Sequence, residues 1–511
     1  MAHNYLLALP EELIAAIATV VEVGDLLSFA LACKECYRIT RDRLSANAAY
    51  HEQYAIQHDR LPLTIPKLLK LALQNDDEAW HLRALEHWGG RPDWSEWKTY
   101  HWSGTGGNET WLEPVEDHSH LDRTFFHDQE LEAFTCIMRD QLHFVDSEVD
   151  HWLELIRAGN DEPLKGMLIA LSPHLNRVNI IAYPYEGDAA HPLSFLCRTI
   201  TRLADMPGAL WPPGFQSLRK VSVCTTTALQ HPHDAFYADA SDVAPLFRLP
   251  NIKVLNLSLL GYLNEDEPGW EPEPRSSSAE ELGFYCCELD EERICKLIRA
   301  CKVLRRLVLD NGPLKEVTEL LATEYSHCLE EPFLHLNTAG MTYPDLVGSF
   351  KRLRLLQSPT VEDLLLDQSI EHGQRVSKGD KLQRLQDFLP TTIETIHIDG
   401  SGRFREVEMQ DALIQAIAEL VDDKNYSALK EVCLFDAIDD YSYSDKVEMF
   451  ARNAESVRRI VAKGVNLHYP LEGEKVMGRR EHKKLHVDYL SSGNLTEIET
   501  DPTPLEERYN D

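Results

Sequence analysis

The sequence predicts an α/β chain in two parts, a small helical module at the N-terminus and a long, irregular array of parallel strands joined by helices. Three observations carry this expectation. Residues 9–44 place apolar side chains at helical spacing, a six-residue phrase of the form apolar-x-x-apolar-x-apolar recurs from Leu175 onward, and the intervals between phrases read as amphipathic helices. At 511 residues the chain also exceeds one ordinary hydrophobic core, so two or more modules or a solenoid are required.

The first element begins at Pro10, which needs no amide donor in a helix's first turn, and Glu11 and Glu12 follow at the positive end of the helix dipole. Leu13, Ile14, Ile17, Val20 and Val21 then recur at helical spacing. Gly24-Asp25 is expected to break this helix and cap a second one, with Leu27, Leu31 and Lys34 on one stripe thickened by Leu26, Ala30 and Cys33. Arg38, Arg41 and Arg43 crowd what reads as a later helix end. Three short helices in roughly 40 residues cannot bury every apolar face, so surface should remain for a partner.

Leu9-Pro10, Glu12, Leu13, Ile17, Asp25-Leu26-Leu27, Leu31, Cys33-Lys34 and Leu44 together resemble the F-box pattern in order and spacing. The resemblance implies an F-box over 4–46, followed by a helical linker over 47–79. Where members usually carry a Trp three residues after the cysteine of Cys33-Lys34, this chain has Cys36, with Tyr37 adjacent. The implied partners are a Skp-type adaptor and the cullin-based ligase complex it serves, and the residues implied to face the adaptor are Leu9, Pro10, Leu13, Ile17, Leu26, Leu27 and Leu31.

The recurring phrases are LNRVNI from Leu175, LRKVSV from Leu218, IKVLNL from Ile252, LRRLVL from Leu304, VEDLLL from Val361, IETIHI from Ile393 and LKEVCL from Leu429, with a weaker copy, LRALEH, from Leu82. Their separations run from 32 to 57 residues, too irregular for a strict array but compatible with strand-plus-helix units carrying insertions; the 57-residue gap has room for another unit. Helices are expected over 316–329, 343–356 and 409–421, and residues 161–180 read as a helix followed by a strand. These units resemble the long, irregular leucine-rich repeats of F-box/leucine-rich-repeat proteins. The resemblance implies a solenoid of parallel strands and helices over 80–470 and a C-terminal tail over 471–511; a mixed α/β domain with parallel strands is the competing architecture.

Within that span, residues 262–283 are acidic and rich in Pro and Ser, and are expected to form a mobile loop, with Ser276 to Ser278 as a lesser candidate for phosphorylation. Trp80, Trp88, Trp94, Trp97, Trp102 and Trp111 crowd a short stretch. Such clusters line a ligand cleft or cover the open end of a repeat array, and an N-terminal cap over about 80–115 is the reading taken. The basic residues Arg479, Arg480, Lys483 and Lys484 make only a weak nuclear-import patch.

Composition narrows the partners. A net charge of −33 argues against nonspecific binding to nucleic acid or an anionic membrane, leaving proteins as the expected partners. No apolar run approaches the ~18 residues of a membrane span, and the start lacks a signal peptide's basic and apolar regions. The 11 scattered cysteines suit buried free thiols in a reducing compartment. An intracellular protein, cytoplasmic or nuclear, is therefore expected.

No catalytic or metal constellation stands out. Cys33-x-x-Cys36 has the spacing of a redox or zinc pair but lacks a thioredoxin-like strand context and further ligands, so it is read as core. Cys286-Cys287, Cys295 and Cys301 lack a histidine pair, and His231-x-His233-Asp234 reads as a solvated loop. Gly104 to Gly107 has neither the preceding strand nor the following Lys-Ser/Thr of a phosphate loop. No cofactor, metal or intrinsic catalysis is expected.

One finer expectation concerns the strand face. In the phrases, the residue before the central apolar position is in turn Arg177, Lys220, Val254, Arg306, Asp363, Thr395 and Glu431. A basic first half giving way to an acidic second half would let Arg177, Lys220 and Arg306 hold an acidic or phosphorylated segment, with Asp363 and Glu431 completing a target-binding face. The expected function is substrate recognition within an SCF-type ubiquitin ligase, without chemistry of its own; a leucine-rich-repeat scaffold acting outside ubiquitination is the alternative.

Overall fold

The computed structural model of the protein describes residues 9–74, 80–88, 90–101, 113–117, 121–182, 193–207, 210–225, 238–258, 260–261, 272–285, 287–310, 315–335, 352–358, 385–387, 389–399, 407–435 and 452–468. These form a mixed α/β chain with parallel strands, divided into two compact units. The first comprises Met1–Asn179 and Gly187–Arg219, the second Ile180–Glu186 and Lys220–Asp511.

The first unit opens with helix α1 (Glu11–Val20), preceded by Pro10 and carrying Glu11 and Glu12 in its first turn. The chain breaks at Val21 and Glu22, both extended, and not at Gly24, which lies inside α2 (Val23–Ala32). Gly24 has a packing role instead: a Cβ there would meet the Trp80 ring at 3.3 Å. Helix α3 (Lys34–Tyr54) is longer than the spacing suggested and absorbs the start of the expected linker. Arg38, Arg41 and Arg43 therefore sit in its first half, where Arg43 Nη1 donates to the Ala18 carbonyl, one of the carbonyls left open at the end of α1. Ile14, Ala18, Val23, Leu26, Ala30 and Cys36 make the core between the three helices.

Directly after α3 comes β1 (Ile56–His58), which pairs in parallel with β2 (Ala84–His87), Ile56 opposite Ala84. Helix α4 (Thr64–Gln74) connects them and buries Ile65, Leu68, Leu69 and Ala72. Strands β3 (Lys98–His101) and β4 (Glu113–Asp117) form a separate antiparallel pair. Helices over Asp128–Cys136, continued by a π-helical turn to Gln141, and over Asp146–Ala158 come next, then a helix over Glu162–Leu171, which β5 (Arg177–Ala182) follows as expected from 161–180.

Residues 162–170 are all buried, because α4 and the helices Asp146–Ala158, Ser194–Leu203 and Pro213–Ser217 pack around them. Gly214 makes the closest approach: a Cβ there would lie 1.8 Å from the Ile169 carbonyl oxygen and 2.9 Å from that of Ser172. Backbone atoms cannot rotate out of the way as a flexible side chain would. Gly214→Ala should therefore cost about 1–3 kcal/mol, seen as a lowered thermal midpoint; an unchanged midpoint would refute this packing.

In the second unit the strands are β6 (Lys220–Thr225), β7 (Ala238–Asp239), β8 (Val254–Ser258), β9 (Leu260–Gly261), β10 (Glu281–Tyr285), β11 (Arg306–Asp310), β12 (Glu331–His335), β13 (Leu355–Ser358), β14 (Thr395–Asp399), β15 (Glu431–Phe435) and β16 (Asn466–His468). β7 and β9 pair with each other. All the others join one parallel sheet in chain order, β6-β8-β10-β11-β12-β13-β14-β15-β16. Several of the strands are set by a shared carbonyl: that of Glu280 accepts from the amides of Arg305 and Arg306, that of Arg305 from Glu330 and Glu331, and that of Glu394 from Lys430 and Glu431.

Every phrase that falls on described residues forms a strand beginning two residues after its first apolar position. The phrase at Val361 lies outside the described residues. Four strands of the second unit's large sheet match no phrase: β12 and β13 fill the 57-residue gap, where room for one further unit was noted, β16 ends the series, and β10 lies at the end of the segment expected to be a loop over 262–283.

That loop expectation is thus corrected for its last part. Ser277 is fully buried and bridges Cys301, while Ser278 Oγ donates to the carbonyl of Ile252 at 2.9 Å or that of Pro250 at 3.2 Å, so the 276–278 stretch is built into the fold. Residues 262–271, like the tail over 471–511, lie outside the described residues. The helix expected over 316–329 is an α-helix over Lys315–Leu320 continuing as a π-helical turn to Tyr325, and that over 409–421 spans Val407–Asp422. The helix expected over 343–356 is contradicted at its end, where Leu355 begins β13.

Between these strands the core repeats one arrangement. Strand positions two and four point inward, as Leu282 and Phe284, Leu307 and Leu309, and Val432 and Leu434 do, against helix residues such as Ile294, Leu297, Ile298, Ile414 and Ile417. Tyr325 Oη donates to the carbonyl of Ile298 or Cys301, both 2.9 Å away, and Tyr426 Oη to that of Leu389 at 2.6 Å, closing the ends of preceding turns. Among the described residues no helix is long and apolar enough to cross a membrane.

Candidate docking surfaces

Helices α1 and α2 bury one face each and leave the other uncovered. Ile14 and Ala18 point into the module while Leu13 is 51% exposed and Val20 79%. On α2, Leu26 and Ala30 are buried while Leu27 is 58% exposed and Leu31 74%. Tyr37 on α3 is likewise exposed. Isolated exposed leucines are ordinary, but several large apolar side chains on one 30-residue module are a concentration that monomers seldom leave in water.

Of the residues expected to face an adaptor, Pro10, Leu13, Leu27 and Leu31 are exposed, and Leu9 and Ile17 are half-buried. Leu26 is the exception, at 0% exposure, because position 26 lies on the buried stripe of α2, the helix that packs on α3. Cys36 is also fully buried. The Trp-rich stretch is used for packing where it is described: Trp97 Nε1 donates to the Gly159 carbonyl at 2.6 Å, Trp94 stacks on Trp97, and Trp88 is buried. Trp102, Trp111 and Gly104 to Gly107 lie outside the described residues.

The strand face of the second unit departs from the expected division of charge. In register, the first strand positions run Lys220, Val254, Glu281, Arg306, Glu331. The unforeseen strands β10 and β12 therefore set a carboxylate on each side of Arg306, at 3.9 Å from Glu281 and 3.7 Å from Glu331. The row one residue upstream alternates in the same way: Glu280 takes Lys253 and Arg305, and Glu394 takes Arg354 at 2.8 Å and Lys430 at 2.7 Å.

Hydrogen bonds from Arg354 and Lys430 hold the Glu394 carboxyl down at about 2, whereas burial, with Glu331 adding to it, raises Glu281 against the pull of Arg306. Within the second unit Lys220 and Arg306 are not neighbours, because Val254 and Glu281 stand between them; Arg177 lies in the first unit. Glu431 sits half-buried between Thr395 and Asn466, and Asp363 lies outside the described residues.

One constellation in the first unit gave no sequence signal. Asp59, Arg91, Asp161 and Lys165 are each less than 5% exposed and form a balanced quartet. Lys165 Nζ is 2.7 Å from Asp59 Oδ2 and 2.9 Å from Asp161 Oδ2, and Arg91 Nη1 is 3.0 Å from Asp161 Oδ2. Arg91 also donates through Nη2 to the Asp59 carbonyl at 2.7 Å, and its amide donates to Asp161 Oδ1.

Burial pushes Asp59 up, but Lys165 and Arg91 outweigh it and hold the carboxyl below its usual range. Beside the quartet, burial pushes Glu162 up to about 8 and His87 down to about 4. Among the described residues no group of three or more His, Cys, Asp or Glu side chains is placed to hold a metal ion. His231, His233 and Asp234 lie outside them, as does Cys286; Cys287, Cys295 and Cys301 are buried.

No protein-family model matches the chain. No curated protein matches it either.

Proposed function

We propose that this chain is a substrate-recognition subunit of an SCF-type ubiquitin ligase, an F-box module followed by a leucine-rich-repeat solenoid. The observation that carries the reading is the set of uncovered apolar side chains Leu13, Leu27 and Leu31 on a three-helix module whose sequence follows the F-box order. Parallel strands added in chain order, several of them started by two amides on one carbonyl of the preceding strand's approach, agree with a repeat array downstream. On this reading Pro10, Leu13, Leu27 and Leu31 enter a groove of a Skp-type adaptor, with Leu9 and Ile17 at its margin. The strand array holds a protein target near a ubiquitin-conjugating enzyme carried elsewhere in the complex. Its contribution to the reaction is proximity, without covalent chemistry of its own.

Leu27→Ala/Leu31→Ala tests the reading. Both side chains are exposed, so the double variant should melt with the wild type, while binding to a purified Skp-type adaptor falls about 10- to 100-fold, as expected when two apolar anchors are truncated. Calorimetry with the full chain reads this directly. Unchanged affinity, or no binding by the wild type, would remove the assignment.

A further inference from the structure

The docking reading makes no use of the two sulfurs at the start of α3. Cys33 is the N-cap of this 21-residue helix, and its Sγ accepts the Cys36 amide at 3.3 Å. The Cys36 Sγ lies 3.3 Å from it. Both are free thiols, Cys33 partly exposed and Cys36 fully buried behind it.

We propose that Cys33 and Cys36 are a redox modification site, a dithiol that closes reversibly to a disulfide by exchange with a small disulfide such as oxidised glutathione. A thiolate at a helix N-terminus is stabilised by unpaired amides and the positive end of the dipole, and Cys33 occupies that place with an amide already directed at its sulfur. Exposure divides the two roles. Solvent reaches Cys33, so it is the attacking sulfur; Cys36 is screened from outside reagents but within reach of Cys33, so it resolves.

Closing the gap to a bond of about 2.05 Å requires one sulfur to move by little more than an ångström, and both lie within the first turn of α3 and its cap. Hydrogen bonds from the Cys36 amide and thiol lower the Cys33 thiol's pKa from its ordinary value, while burial, with the donated bond to Cys33, pushes Cys36 up to about 11. Buried Cys295 goes the same way as Cys36, pushed up to about 11.

The exchange balances in two steps. Cys33 thiolate attacks one sulfur of oxidised glutathione, forming a Cys33–glutathione mixed disulfide and expelling one glutathione thiolate, which takes up a proton. Cys36 then gives its proton to solvent and attacks Cys33 Sγ, expelling the second glutathione. The protein loses two electrons and two protons, and one oxidised glutathione becomes two reduced ones. Excess reduced glutathione runs the sequence backwards. None of this depends on what binds Leu27 and Leu31.

The test uses the reduced full chain in buffers of defined reduced and oxidised glutathione at pH 7, followed by acid quenching, alkylation and peptide mass analysis. Wild type should accumulate the Cys33–Cys36 disulfide, and Cys36→Ala should instead trap glutathione on Cys33 at about ten times the wild-type level. Iodoacetamide should alkylate Cys33 of the reduced wild type about ten times faster than exposed Cys136, which sits where one helix runs on into a π-helical turn and whose side chain makes no cap hydrogen bond. Glutathione persisting on Cys33 in wild type, or alkylation no faster than at Cys136, would overturn the proposal. The cross-link and the rate comparison are both read on the unaltered chain, so a misfolded variant would not spare the proposal.

Discussion

Replacing Asp161 with Ala should destabilise the first unit by about 3–5 kcal/mol, the usual cost of removing one partner from a buried ion pair. With all four members present, two carboxylates balance two cations, and Asp161 alone serves three donors: the Arg91 amide, the Arg91 guanidinium and the Lys165 ammonium. Truncation leaves a net positive charge where solvent does not reach and opens a cavity on the buried helix that begins one residue later. The same side chain connects Arg91, in the stretch after β2, to that helix, and through Arg91 and Lys165 to Asp59 just after β1, so the loss should appear as one cooperative transition at lower temperature. Lys165→Met in the Asp161→Ala background removes the surplus charge and should recover part of the loss, since an apolar substitute for a buried pair is often tolerated. A thermal midpoint for Asp161→Ala within a degree of wild type would show that the quartet does not hold the fold.

Periodicity in the sequence reached the strands whose inward positions are aliphatic and whose flanks are polar, such as Arg306–Asp310 and Thr395–Asp399. It missed Glu281–Tyr285 because the preceding residues are acidic and rich in Pro and Ser, and because Gly283 occupies its central position. In the fold that Gly is what the register demands, since Tyr285 crosses it and a Cβ would lie 2.5 Å from the ring. It missed Glu331–His335 because Pro332 weakens the pattern of a strand interior. These two omissions produced the wrong charge map, since each missing strand brought a carboxylate beside Arg306.

The helical module was more legible, because its exposed apolar positions follow from local spacing; only Leu26 was assigned to the wrong side, its stripe being decided by the packing of α2 on α3. Asp59, Arg91, Asp161 and Lys165 were illegible for a different reason. Up to 106 residues separate them, and each reads in isolation as a solvated charge. Only the packing of the Glu162–Leu171 helix against α4 and its neighbours brings them together.

Glu162→Gln should stabilise the protein increasingly as pH rises from about 4.5 to 8. The Glu162 carboxyl is buried, with Oε1 accepting the Phe195 amide, and its pKa is about 8 against an ordinary 4.5. Between those values the folded chain binds a proton that the unfolded chain does not, so stability contributed at this position is full below 4.5 and falls until 8. At about 1.4 kcal/mol per pH unit, the difference across the window is on the order of 4 kcal/mol. Gln keeps the carbonyl that accepts from Phe195 and carries no titratable proton, so it escapes this loss. His87 titrates in an overlapping range with the opposite sign: with its folded value near 4, stability rises with pH between 4 and 6.5 in both proteins and cancels when they are subtracted. The measurement is urea unfolding of both chains at pH 5, 6, 7 and 8. Free energies that diverge with pH, Gln above Glu, are expected; parallel curves would mean that Glu162 enters the fold ionised.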